Sequence, residues 1–327
     1  MAILITGGAG FVGLNLVEQC LLQKQHVVLF GPVPPTARDY LNQFKGAESH
    51  LRLVEGDVRK ADELDSAIVR YQIRQIVHGA AITADIEREK TSARAIVDVN
   101  VGGTVEVLEA ALRHRVERVI QLGTGSIFGS AGNVQGPLDE VDSAVLPQSL
   151  YGISKYAAER IAVRYRQARG LPVSVLRLGM VFGRWEYDSG LRDTLSLPWQ
   201  VARSARAGEH VVLHTDAGND WVYANDVAQG IRAALAADAL PEPVYHLSAG
   251  QEWSVRDWCA LLKQRYPQFS YGFSQNLGDC TIGRNKASKR AIFSIERLVR
   301  DTGYRPQFLL NDAFTDYMEW SDAAHTR

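Results

Sequence analysis

Cysteine is scarce in this chain, with three among 327 residues. Cys20, Cys259 and Cys280 are odd in number, widely separated and without metal-ligand spacing. That argues against a disulfide framework and a structural zinc site, and no metal is expected. An excess of one charge is lacking as well. The 36 basic and 37 acidic residues are mixed along the sequence and leave a formal net charge of −1, so no basic face is implied for nucleic acid or an anionic membrane. No apolar run approaches the ~20 residues that a bilayer crossing needs. The N-terminus runs straight into a strand without a charged leader, so the expectation is a soluble, cytoplasmic protein with neither nucleic-acid nor membrane partners. Internal repeats, low-complexity tracts and flexible linkers are also missing.

What is present is a hydrophobic content of 46%, enough to bury more than one compact domain usually holds. Strand candidates at 2–5, 26–30, 51–54, 75–78, 117–122 and 172–178 alternate with helical patterns to about 24, from 60, across 92–114 and from Tyr151 to Arg169. Such alternation predicts an α/β fold, a Rossmann-type doubly wound parallel sheet with helices on both faces. From Arg184 the chain turns aromatic and irregular, with Trp185, Tyr187, Trp199 and Trp221, before a helix near Asp226 and a strand at 243–247. Helical patterns at 254–265, 294–302 and 311–320 follow. A smaller substrate domain is therefore expected to be interleaved. Residues 1–179 and about 222–247 would form the dinucleotide-binding domain, and about 180–221 and 248–327 the substrate-binding domain.

The run Ala2-Ile-Leu-Ile-Thr-Gly-Gly-Ala-Gly-Phe-Val-Gly13 places Gly7, Gly10 and Gly13 at three-residue spacing where a strand gives way to a helix. Gly7 permits the tight bend, Gly10 lets the backbone approach a pyrophosphate, and Gly13 lets the helix pack closely on the strand, with Phe11 and Val12 between them. The helix N-terminus then receives the phosphate charge. Further on, Tyr151-Gly-Ile-Ser-Lys155 opens a helix, and four-residue spacing puts phenol and ammonium on one face. A phenol with an ordinary pKa of ~10 becomes a base at neutral pH only if cations favour the phenolate. Tyr151 can then take a proton from a substrate hydroxyl while the adjacent carbon gives up hydride. Between these motifs an apolar run ends in Gly123-Thr-Gly-Ser126.

In this order the motifs resemble the extended short-chain dehydrogenase/reductase family, also called the NAD-dependent epimerase/dehydratase family. The resemblance spans essentially the whole chain and includes Thr6 to Gly13, Gly56-Asp57-Val58, His78-Gly-Ala-Ala81, Asn100-Val-Gly-Gly-Thr104, Tyr151 to Lys155, Arg177 and Asn219 to Asp226. It implies that Asp57 and Val58 meet the adenine, that Ala80 and Ala81 line the ribose and pyrophosphate, and that Lys155 holds the nicotinamide ribose hydroxyls. Asn100 belongs to the same set. A Ser or Thr should hydrogen-bond the reacting oxygen, here Thr124 with Ser126 next in line. The family commonly pairs subunits through two long helices, which here would be those at 92–114 and 151–169, so a homodimer is expected. His78 ends an apolar strand and reads as a packed core histidine.

Three departures bear on specificity. Rossmann sites that select NAD end the second strand in an acid. Here that strand runs into Gly31-Pro-Val-Pro-Pro35, so NADP stays open beside NAD, and Arg38 could reach a 2′-phosphate or simply be solvated. Relatives acting on nucleotide-diphosphate sugars carry an Asn and an Arg where this chain has Met180 and Asn219, and losing a guanidinium removes bidentate anion recognition. Sugar 4,6-dehydratases follow the active-site Thr with Asp-Glu, where this chain has Gly125-Ser126. The segment Gly183 to Asp193 instead offers Arg184 and Arg192 beside aromatics and acids, as a lid or pocket wall for a small polyhydroxylated or carboxylated substrate, or as a salt-bridged surface excursion. The expected activity is NAD(P)-dependent hydride transfer on a secondary alcohol of a sugar or sugar acid. The alternatives are a nucleotide-sugar epimerase that retains its cofactor and a nonenzymatic nucleotide sensor.

Overall fold

Ile3, Leu4 and Ile5 are consecutive and all buried, which requires a strand covered by helices on both faces. The computed structural model describes residues 2–33, 38, 41–44, 46–47, 49–188, 192–214, 218–283 and 290–325. In it these residues form β1 (Ala2–Thr6) of a parallel seven-stranded sheet. The other strands are β2 (His26–Phe30), β3 (Leu51–Val54), β4 (Ile73–His78), β5 (Arg118–Thr124), β6 (Val173–Leu178) and β11 (Val244–Leu247). Their order is β11-β6-β5-β4-β1-β2-β3. The chain builds outward from β1 in one direction and resumes with β4 on its other side. That reversal opens a crevice at the carboxyl ends of the strands.

Helices α1 (Phe11–Leu22) and α7 (Ala224–Ala236) cover one face, burying Leu14, Val17, Val227 and Ile231 against the sheet. Helices α2 (Ala61–Tyr71), α4 (Gly103–Arg113) and α5 (Leu150–Arg169) cover the other through Leu64, Ile68, Val107, Leu108 and Ala162. The helix expected across 92–114 starts earlier, as α3 (Ile86–Val97), because Asp85 caps it by accepting from Arg88 N at 2.9 Å. A π turn over Asp98–Gly102 separates α3 from α4.

The stretch from Arg184, read as irregular, contains a helix. Helix α6 (Leu197–Arg206) is capped by the Ser196 hydroxyl, which accepts from Trp199 N at 3.2 Å, and has Pro198 in its first turn. Around it lie β7 (Met180–Phe182), β8 (His210–Leu213), β9 (Gly218–Asn219), β10 (Trp221–Tyr223), β12 (Trp253–Ser254), α8 (Val255–Arg265) and β13 (Ser270–Phe273). These strands pair two by two. Helices α9 (Glu296–Thr302) and α10 (Leu310–His325) complete the chain. An aromatic core holds this part together, with the Phe182 ring edge-on to Trp258 at 5.4 Å and to Trp221 at 6.1 Å.

One buried ion pair fixes α5 on the sheet. Arg177 of β6 donates from Nε at 2.8 Å and Nη2 at 2.7 Å to the Glu159 carboxylate, with side chains 4% and 1% exposed. Removing one partner strands the other charge away from water. Glu159→Ala is therefore expected to lower the unfolding free energy by about 3–5 kcal/mol. Urea denaturation followed by tryptophan fluorescence checks this, and a loss below about 1 kcal/mol would give the pair no more weight than a surface bridge.

Candidate active site

The turn after β1 is built by close backbone approach. Gly7 has φ +68°, and a Cβ there would come within 2.9 Å of the Ala80 backbone. A Cβ on Gly13 would lie 2.5 Å from Gly8 O. At Gly10 a Cβ would meet only Gly7 O, at a tight 3.2 Å, so a small local shift makes room for it. Gly10 is the N-cap of α1, with no side-chain cap and no acid in the first turn. Backbone N–H groups and the positive helix end thus face a cavity of about 1020 Å³, at the upper end of the ligand-pocket range. These features fit a dinucleotide pyrophosphate. Gly10, Phe11, Val12, Gly13, Asp57, Val58, Ala80 and Ala81 all line this cavity.

The Asp57 carboxylate accepts from Arg59, from Nε and the backbone N at 2.9 Å, and this pairing holds its carboxyl below the usual range. Arg59 lines the cavity too and had no sequence signal. Beyond β2, Pro32 borders the cavity, while Pro34 and Pro35 lie outside the described residues. Arg38 does not reach the cavity, because its guanidinium donates to Glu55 at 2.5 Å.

Helix α5 starts where Ser149 caps it, accepting from Gly152 N at 3.1 Å, and this sets Tyr151 and Lys155 one turn apart on the cavity wall. Thr124 and Thr83 stand beside the Tyr151 hydroxyl and bear on its ionisation. Thr124 Oγ1 also donates to Ser126 Oγ at 3.2 Å. Burial pushes the phenol above its ordinary value, while the two threonines and the charge of Arg192 pull it back. Arg192 thus adds a positive charge near the phenol that the spacing of Tyr151 and Lys155 did not point to. Burial depresses Lys155 itself to about 8, against the pull of Glu159.

Arg192 lines the cavity, held by Glu186 at 2.8 Å and stacked 5.1 Å over the Phe11 ring. Glu186 is buried and accepts from Ser196 N at 2.7 Å and Ser196 Oγ at 2.6 Å. Between the two arginines, residues 189–191 lie outside the described residues. The expectation for Arg184 is corrected. Its Nε donates to Asp316 of α10 at 2.7 Å, Glu18 lies 3.6 Å away, and it does not line the cavity. Asn100 also sits behind the wall. Its amide accepts from Ile82 N at 2.8 Å and donates to Ile82 O and Ser154 Oγ, so it positions the 80–82 loop. His78 is enclosed by Thr6 Oγ1 at 2.7 Å and Thr104 Oγ1 at 3.0 Å, and burial drives it down to about 3, leaving it neutral. Thr83 and Arg290 complete the wall near Tyr151 and carried no motif.

The family model described as the NAD dependent epimerase/dehydratase family matches residues 3–248. The dTDP-glucose 4,6-dehydratase of Streptomyces antibioticus is 26% identical over 330 residues, covering 98% of this chain and 92% of its own. A putative UDP-glucose 4-epimerase of Methanocaldococcus jannaschii is 25% identical, with 97% of each chain covered. Among solved structures, the dTDP-glucose 4,6-dehydratase of Streptomyces venezuelae with NAD bound superposes with a TM-score of 0.81 at 25% identity. That superposition covers 100% of this chain and 98% of the other.

Two outcomes follow from the geometry. Gly10→Val should fold, since its side chain meets little protein, yet weaken NAD binding by at least about a hundredfold by standing where the pyrophosphate approaches; unchanged cofactor titration would show the turn unused. Lys155 holds its proton less tightly folded, at about 8, than at its ordinary 10.5, so the folded state binds fewer protons between those values and stability rises with pH there. Lys155→Met should accordingly stabilise the protein by roughly 1–3 kcal/mol at pH 7, with the gain shrinking towards pH 10. Denaturation at both pH values reads this, and a destabilised variant would contradict it.

Proposed function

The chain belongs to the NAD dependent epimerase/dehydratase family, and from that premise we propose that it transfers hydride between NAD and a secondary alcohol of a sugar or sugar acid. The observation that carries this reading is that Tyr151, with Thr124 bearing on its hydroxyl, lines the same cavity as Lys155 and the glycine turn. Bound NAD supplies the hydride acceptor. Thr124 and Ser126 hold the reacting oxygen, and Tyr151 Oη takes its proton as the carbon–hydrogen bond breaks. Arg192 favours the phenolate by its charge, and Lys155 serves the nicotinamide ribose. Val58, Ala80 and Ala81 cradle the remainder of the dinucleotide, and the absence of an acid at the end of β2 leaves NADP as a second cofactor to be titrated.

A nucleotide-sugar epimerase is the second reading. The name of the Methanocaldococcus relative favours it, and the same three side chains would serve a cofactor that is reduced and reoxidised in place. A 4,6-elimination needs an acid and a base beside Thr124, and the carboxylates lining the cavity among the described residues are Asp57, bound to Arg59, and Asp193, bound to Arg88 at 2.9 Å. We place the protein in the cytoplasm as a homodimer. Apolar side chains stand exposed on α3 and α5, Ile86 at 58%, Val97 at 40% and Ile153 at 48%, and a partner's helices would cover them.

Tyr151→Phe is expected to lower kcat/KM by at least about a hundredfold while NAD affinity stays within about threefold. Substantial residual turnover would sink the assignment. Net accumulation of reduced cofactor with substrate distinguishes the dehydrogenase from the epimerase, which shows none. Light scattering should give twice the 36.1 kDa chain mass; the monomer mass throughout the micromolar range would rule out the dimer.

A further inference from the structure

We propose that Arg290 is an anion subsite beside the reacting centre and that it holds the carboxylate of a sugar-acid substrate. Arg290 lines the same cavity as Thr124, Ser126 and Tyr151. Its guanidinium has no hydrogen bond or ion pair among the described residues, and Nε and Nη2 are buried without partners. Two glycines make the room it occupies. A Cβ on Gly125 would lie 2.1 Å from Arg290 Nη1, and one on Gly132 would lie 3.0 Å from Arg290 Cγ. The Phe293 ring supports the cation at 4.8 Å from Cζ. The carboxylate facing it is Asp220, whose charge reaches Arg290 without an ion pair; its Oδ2 is engaged by Phe293 N at 2.9 Å and its Oδ1 is buried without a partner.

A guanidinium cannot shed its proton, and its unpaired N–H groups are costly away from water, so an anion arriving through the cavity would complete the site. The location narrows which anion. Nη1 abuts Gly125, the residue between Thr124 and Ser126, so the bound charge must lie within about a sugar ring's width of the oxygen those hydroxyls hold. A carboxylate on the reacting sugar meets that constraint. A diphosphate is the other source of the same chemistry, and the chain offers no second guanidinium at Asn219, which is absent from the cavity wall.

The subsite rests on the hydride-transfer reading only for which oxygen reacts, and its test is binding rather than turnover. Calorimetric titration of the NAD-loaded protein would compare glucuronate, galacturonate and mannuronate with glucose, galactose and mannose, and include UDP. At least one uronate should bind about tenfold to a hundredfold more tightly than its neutral hexose. Arg290→Gln should erase that preference with NAD affinity unchanged, which also certifies the fold, and Gly125→Ala should erase it by displacing the guanidinium. Equal binding of uronates and hexoses by the unaltered protein, or a preference surviving Arg290→Gln, overturns the subsite. Micromolar UDP binding lost in Arg290→Gln reassigns the guanidinium to a phosphate and overturns the carboxylate. An intact uronate preference without turnover of any of these sugars would leave the subsite standing and count against hydride transfer.

Discussion

The ion pair between Arg177 and Glu159 is the constraint on which the site depends. It ties the middle of α5 to β6 with both charges out of water, and Tyr151 and Lys155 sit on the turns of α5 that precede Glu159. A buried pair contributes less to net stability than its Coulomb attraction suggests, because both ions lose hydration. Its bidentate geometry contributes direction instead. With α5 fixed in rotation and translation, Tyr151 meets Thr124 at the end of β5, and Asn100 in the π turn holds the neighbouring 80–82 loop at the same level.

Charges around the cavity follow from the same burial. Lys155 pays for its place with a depressed affinity for its proton. Arg192 is paired with Glu186, which Ser196 anchors at the start of α6. The phenol of Tyr151 lies in the field of Arg192 while burial opposes its ionisation. In the free protein it is thus a protonated donor, and the added positive charge of the oxidised cofactor works in the direction that makes it a base.

Much of this was legible where the signal is local. The strand, turn and helix of residues 2–22 announce themselves in order, and the four-residue interval between Tyr151 and Lys155 needs only helix geometry. What failed was non-local. Arg184 and Arg192 stand in one segment with similar neighbours, yet Asp316 from α10 captures the first and Glu186 steers the second into the cavity. No feature near either residue distinguishes them. The strands β9 and β12 are two residues each and leave no alternation to read. Helix α6 did carry a Ser-x-Pro start, which its aromatic surroundings obscured.

Overall composition concealed the local field most completely. A chain with a formal charge of −1 brings Lys155, Arg192 and Arg290 to one cavity whose wall also holds Arg59 and Arg203, and the first three differ in what they can give. Lys155 can release its proton near neutral pH, and Arg192 is neutralised at close range. Arg290 can do neither, since guanidinium stays protonated and Asp220 acts on it only across a distance. Small residues at 125 and 132 admit it, so the same Gly125-Ser126 pair that departs from the dehydratase pattern is also the space through which a third cation reaches the reacting centre. The room left by these two glycines is filled by a basic side chain, and only the folded chain reveals which one.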